Sequence, residues 1–216
     1  MTRPEATLVT LTGHSPEPER VGTCRIEARL PGANGARLYR AVDLSLGRTV
    51  VVKLMQPPFD EDVAAVERFL AFGQALVGLE APHIVGVLAA GRDGPTPWIV
   101  CEWVDGDDLE TILKRERQLV PQAALRVVLD AASGLEAAGR RGVLHGDLRP
   151  RHLLRARGEV KVTGFGLSPM TKTSLGRVIG GHPAYIAPEI VEPALSSSPP
   201  DHRADFYSLG CTLFEL

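Results

Sequence analysis

A two-lobed α+β fold, with a small antiparallel β lobe first and a mostly helical lobe second, is predicted by three observations. Strand-like alternation and β-branched runs dominate residues 25–54. Helical spacing of apolar residues dominates from Leu109 onward. Between the two, Asp105-Gly106-Asp107 makes a polar break suited to an interlobe linker.

Taken in order, residues 1–23 carry Pro4, Pro16 and Pro18 among scattered charges and read as a flexible leader. Arg25-Ile26-Glu27-Ala28-Arg29-Leu30 alternates, Pro31 to Gly35 turns, and Arg37 to Val42 resumes the alternation. After a second turn from Asp43 to Arg48, Thr49-Val50-Val51-Val52-Lys53-Leu54 is a strongly β-branched strand. Three such strands in series predict a meander. From Glu61 to Leu79 the apolar positions Val63, Val66, Phe69, Leu70, Leu76 and Leu79 have helical period, and Pro82 stops it. Ile84–Ala89 and Pro97–Trp103 read as two further strands. Leu109–Arg117 and Pro121–Arg141 read as helices; Pro121 suits a first turn, where its missing N–H is no loss. Val160-Lys161-Val162 reads as a short strand, 167–186 as a loop, and Ala204–Leu216 as an apolar helix. The domain bounds expected are 1–23 for the leader, 24–104 for the β lobe and 105–216 for the helical lobe.

Composition narrows the class. At 216 residues, with 44% hydrophobic and 23% charged, the chain can bury a core. A net charge of -2 gives no basic footprint for nucleic acid. Cys24, Cys101 and Cys211 are odd in number and far apart, which argues for a reducing compartment rather than a disulfide framework. No apolar run reaches the roughly 18–20 residues of a membrane span, and Leu8 to Leu11 is too short for a signal sequence. The expectation is a cytoplasmic protein without a membrane span.

The segment His145-Gly146-Asp147-Leu148-Arg149-Pro150-Arg151-His152, followed by Gly164-Phe165-Gly166, is the most informative in the chain. It resembles the protein-kinase catalytic loop H-R-D-L-x-x-x-N and the magnesium motif D-F-G. Thr49 to Lys53 resembles the V-A-I-K strand, and Trp98 to Gly106 the hinge. Gly181 to Glu189 resembles the segment ending in A-P-E, and Asp201 to Gly210 the start of the central buried helix. Order and spacing match at once, so residues 25–216 resemble bacterial-type serine/threonine protein kinases. The resemblance implies a two-lobed kinase-like fold whose helical lobe is incomplete, since the chain stops inside the central helix.

The resemblance also assigns roles. Asp147 matches the base that orients or accepts the substrate hydroxyl proton, and Arg149 keeps positive charge where a lysine is usual. Lys53 matches the lysine that reaches the α/β-phosphates. Val51, Glu102, Val104 and Leu154 match nucleotide-site positions, with Cys101 at the gatekeeper. Leu76, Val87, His145, Phe165 and Asp205 match the hydrophobic column and its anchor.

Departures cluster where phosphate and metal are handled. His152 stands at the Asn position and Gly164 at the Asp position, so neither expected metal ligand is present. Magnesium prefers oxygen ligands, so it is expected to be poorly bound or absent, and ATP binding to be weak. The glutamate that should hold Lys53 falls at Phe72; Glu67 sits roughly 140° further round the helix. The three glycine-loop positions hold Pro31, Ala33 and Ala36, and proline removes a donor outright. Gly146 replaces the arginine that meets a phosphorylated activation loop. A zinc site of His145, His152 and His182 is disfavoured, because His145 matches a buried structural histidine.

Three readings follow from these residues. The first is a catalytically impaired kinase-like module with a nucleotide-sensing or scaffolding role and a protein partner. The second is an active serine/threonine kinase with atypical metal handling, acting on protein hydroxyls. The third is a non-functional fragment. Thr171, Thr173 and Ser174 are candidate phosphate acceptors. Tyr207, Leu209, Leu213 and Phe214 are expected to expose an apolar face that needs a covering partner.

Overall fold

The first lobe is built on a six-stranded antiparallel sheet with the order β1-β2-β3-β4-β6-β5. Its strands are β1 (Arg20–Val21), β2 (Cys24–Ala33), β3 (Ala36–Asp43), β4 (Arg48–Met55), β5 (Val87–Asp93) and β6 (Thr96–Glu102). The computed structural model describes residues 17–33, 36–57, 59–165, 170–172, 178–180, 182–191 and 201–216. The meander expected from residues 25–54 is present, and the β-branched β4 is its centre, paired to β3 and β6. Alternation along β4 sends Val50, Val52 and Leu54 to one face, where they pack with Tyr39, Ala41 and Val100. Val51 and Lys53 take the other face, toward the second lobe.

Helix α1 (Val63–Leu76) crosses the sheet. The Asp62 carboxylate caps it by accepting from Ala64 N and Ala65 N at 2.9 and 3.2 Å. Val66, Phe69, Gly73 and Leu76 form its buried face. A β-carbon at Gly73 would stand 2.7 Å from the Ala90 side chain, so glycine sets how closely α1 approaches the sheet.

The second lobe contains β7 (Asp107–Asp108), α2 (Leu109–Glu116), α3 (Pro121–Gly139), β8 (Leu153–Ala156) and β9 (Glu159–Val162). Beyond these lie the hairpin of β10 (Met170–Lys172) and β11 (Val178–Gly180), then α4 (Pro188–Val191) and α5 (Arg203–Glu215). Pro121 opens α3, as expected. No helix among the described residues is long and apolar enough to cross a membrane.

The lobes are joined by backbone as well as by the linker. Val85 N donates to Val162 O and Val162 N donates to His83 O, each at 2.9 Å. A β-carbon at Gly134 would lie 2.3 Å from the His83 carbonyl oxygen, so α3 reaches this junction only with glycine there. His83 Nδ1–H donates to Val160 O at 2.9 Å, and buried Asp130 accepts from Val160 N.

Four expectations are corrected. The strand placed at Ile84–Ala89 begins at Val87, because Ile84 and Val85 serve the junction to β9 instead. The leader placed at 1–23 gives way before its end: Arg20 and Val21 pair with Arg25 and Cys24, while residues 1–16 lie outside the described residues. The loop placed at 167–186 contains the paired strands β10 and β11. Leu209 is buried at 3% exposure against α3, whereas Tyr207, Leu213 and Phe214 are exposed.

Candidate functional site

A cavity of about 580 Å³ lies between the lobes. Val51 and Lys53 from β4, Glu102 at the end of β6, Val104 just after it, and Leu154 from β8 all line it. The nucleotide-site positions inferred from the sequence therefore share one cleft, of a size usual for small-ligand pockets. Cys101, paired with Val51 across the sheet, is buried behind them, and burial pushes its thiol up from the ordinary value. The Glu102 carboxylate is engaged by Lys161 Nζ at 2.5 Å and by Gly86 N at 3.0 Å. Lys161 is a residue the sequence did not single out; one lysine in a short strand carries no signal of a partner 59 residues away.

Lys53 is 6% exposed and makes no ion pair among the described residues. The position facing it on α1 is Phe72, which lines a small recess together with Lys53. Phe72 stacks on Phe165 with ring centroids 5.9 Å apart, and Phe165 packs on His145 at 4.7 Å. An aromatic contact thus connects α1 to the second lobe where a carboxylate would have met the lysine. Glu67 is on the exposed face of α1, as its helical angle requires.

The segment from His145 to His152 is anchored from α5. Buried Asp205 accepts from His145 N and Gly146 N, both at 2.8 Å. The His145 ring accepts from Asp147 N at Nδ1 and donates from Nε2 to Thr163 O, which fixes the neutral tautomer. Burial lowers its proton affinity accordingly. Gly146 has φ of 74°, a left-handed conformation that favours glycine.

Asp147 and Arg149 come together in this loop, with Arg149 Nε 3.6 Å from Asp147 Oδ2. Asp147 is 4% exposed, and its Oδ1 has no hydrogen-bond partner. Burial raises its carboxyl above the ordinary value, and the Arg149 charge opposes the rise. With Arg149 and the His182 backbone N–H beside the carboxylate, Oδ1 is left as the open acceptor, a geometry able to take a hydroxyl proton.

His152 is buried, and its Nδ1–H donates to the Asp147 carbonyl oxygen at 2.6 Å. Its ring lies against Gly164. A β-carbon at Gly164 would stand 2.7 Å from His152 Cδ2 and 2.9 Å from Cγ, and Gly164 has φ of 86°. Burial holds the imidazole well below its usual proton affinity, helped by the neighbouring positive groups. Magnesium needs several oxygen ligands in near-octahedral geometry. Gly164 offers no side chain, His152 offers nitrogen, and Asp147 is the carboxylate beside the His152 ring. The described residues contain no group of three or more His, Cys, Asp or Glu able to hold a metal ion. The donor set among the described residues does not fit magnesium.

Leu30 and Pro31 of β2 and Leu38 of β3 form the roof. Leu30 pairs with Leu38 and Ala33 with Ala36 across an irregular register, while residues 34–35 lie outside the described residues. Pro31 lines the cavity and supplies no N–H to it. Of the candidate phosphate acceptors, Thr171 pairs with Ile179 in the β10–β11 hairpin, and Thr173 and Ser174 lie outside the described residues.

Comparison with known proteins places this geometry. Residues 31–216 match the model of the protein kinase domain. A probable serine/threonine-protein kinase of Streptomyces coelicolor is 35% identical over 212 residues, covering 93% of this chain and 31% of that protein. The serine/threonine-protein kinase PknL of Mycobacterium tuberculosis is 32% identical over 196 residues, covering 88% of this chain and 48% of the relative. This chain therefore spans less than half the length of these relatives. Among solved structures, the PknI kinase domain of Mycobacterium tuberculosis superposes with a TM-score of 0.74, covering 90% of this chain and 73% of that one at 24% identity.

Proposed function

This chain belongs to the protein kinase family, alongside bacterial serine/threonine kinases, and we propose that it is a catalytically impaired member that senses nucleotide or scaffolds a protein partner. The observation that carries this reading is the His152 ring packed on Gly164. Phosphoryl transfer depends on positioned metal ions that bridge the β- and γ-oxygens. Here the two positions that should supply their ligands are used to pack against each other. Phe72 extends the same logic, since it leaves Lys53 without a carboxylate to orient it.

Packing between the lobes supports a binding role. Leu76, Val87, His145, Phe165 and Asp205 are all buried, and the catalytic loop keeps its anchor from α5. ATP is the nucleotide that the family implies, and the cleft that would take it is lined by Val51, Lys53, Glu102, Val104 and Leu154. Asp147 and Arg149 would face a protein hydroxyl.

Labelled-ATP transfer to a generic serine/threonine substrate tests the proposal. The wild-type chain is expected to give no label above background. The double variant Gly164→Asp with His152→Asn is the control that restores both family ligands. Wild-type transfer that disappears in Asp147→Ala would favour instead an active kinase with atypical metal handling.

A further inference from the structure

We propose that Lys161 is a positioning residue for the cleft: by pairing with Glu102 behind it, Lys161 sets the spacing between the apolar walls that the two lobes contribute, and with it the fit of a flat ligand. This inference rests on the reading of the cleft as a nucleotide site and adds a residue that acts on that site from outside its lining. Lys161 belongs to β9 of the second lobe and is not among the residues lining the cavity. Glu102 ends β6 of the first lobe. Their ion pair, Nζ to Oε1 at 2.5 Å, therefore spans the lobes. The two side chains are 28% and 32% exposed, so water and salt screen the pair only in part.

Strand register connects this pair to both walls. Lys161 stands opposite Leu154 in the β8–β9 ladder, and Leu154 lines the cleft from the second lobe. Glu102 stands opposite Val50 in the β4–β6 ladder, one residue from Val51, which lines the cleft from the first lobe. Side chains alternate along β6, so Cys101 faces the cleft side and the Glu102 carboxylate points away from it. The ion pair is thus made behind the ligand space and does not compete with a ligand. Backbone bonds close it into a ring. Glu102 N donates to Gly86 O at 2.9 Å, and Gly86 N donates back to Glu102 Oε1 at 3.0 Å. Val85, next to Gly86, donates to the carbonyl of Val162, next to Lys161. The ring crosses between the lobes twice, once through the backbone of Val85 and Val162 and once through the ion pair. With the backbone crossing alone, β6 is free to pivot about it and to carry Val51 toward or away from Leu154. The second crossing blocks that pivot.

Calorimetric titration of the full chain with adenosine tests this inference. Adenosine carries no phosphate and no charge, so its affinity reports the apolar slot rather than the charges around it. Lys161→Met removes the ion pair and is expected to weaken adenosine by about tenfold, while the midpoint of urea unfolding moves little, since the pair is partly exposed. Lys161→Arg, which keeps the charge, should restore binding to within about threefold of the wild type. Glu102→Gln retains an acceptor for Gly86 N but loses the charge, and should weaken adenosine as Lys161→Met does. The double variant should bind no more weakly than either single one, because both remove the same contact. Adenosine affinity unchanged in Lys161→Met and Glu102→Gln would overturn the inference and leave the nucleotide reading standing. Weakening that Lys161→Arg does not recover would overturn the inference in the same way. A wild-type chain that binds no adenosine would overturn the inference and the nucleotide-sensing role together.

Discussion

The ring of His152 occupies the space into which a side chain at Gly164 would project, with a β-carbon there falling 2.7 Å from His152 Cδ2. The two positions are therefore coupled: Gly164 cannot be returned to the family residue without strain while the His152 ring is in place. Gly164→Asp alone meets both the ring and a left-handed φ of 86°, and is expected to cost about 3 kcal/mol. In a His152→Asn background the ring is gone and the cost should fall to about 1 kcal/mol. Urea unfolding of the four proteins in the cycle measures the difference; additive effects would show that the two sites do not interact.

Phe72 and Phe165 form the second substitution of packing for charge. Their stacked rings, 5.9 Å apart, tie α1 to the second lobe. A double-mutant cycle with Phe72→Leu and Phe165→Leu should return a coupling of about 1 kcal/mol, the range for an aromatic pair beyond its burial. A coupling near zero would mean that α1 is held by the sheet alone.

Asp205 satisfies two buried N–H groups, those of His145 and Gly146. Asp205→Asn keeps the size but offers one oxygen where two were used. The expected loss is about 2–4 kcal/mol, because a buried donor is orphaned and a charge-assisted bond removed. Amide exchange at His145 and Gly146 should quicken along with the loss of global stability. Protection retained at both sites would contradict the anchoring role.

The buried imidazoles predict a pH dependence. In the folded chain His152 sits well below the ordinary value of 6.5, and His145 is lowered as well. As pH falls through 6.5, the unfolded chain takes up protons that the folded one refuses. Stability is thus fully present above 6.5 and is lost as pH falls toward the folded values, by up to about 1.4 kcal/mol per pH unit for each group. His152→Asn should remove up to one proton from that slope between about pH 6.5 and 5.5. Asp147, with its carboxyl raised, acts in the opposite sense: its contribution is present below the unfolded value and is lost as pH rises through the folded one. The variant shares Asp147, so comparison with it isolates His152. Identical slopes would show that His152 titrates in the fold as it does in the unfolded chain, contradicting its lowered proton affinity.

Much of this was legible in the sequence. The β-branched run of Thr49 to Leu54 fixed the central strand, Pro121 marked a helix start, and the loop from His145 to His152 announced its own departures. Spacing also put Phe72, and not Glu67, opposite Lys53. What the sequence could not show depends on approach in three dimensions. Ile84 and Val85 look like strand residues but their backbone is spent on the junction to Val162. Leu209 looks exposed until α3 is packed beside it. The fit of the His152 ring over Gly164 joins two positions whose separate changes read only as two losses.

The central claim is that metal handling has been replaced by packing. Thermal unfolding of the full chain with a fixed excess of ATP, titrated from EDTA into magnesium, addresses it most directly. The transition temperature is expected to stay the same across the titration once the effect of magnesium without nucleotide is subtracted. A rise of several degrees that requires ATP and magnesium together would contradict it.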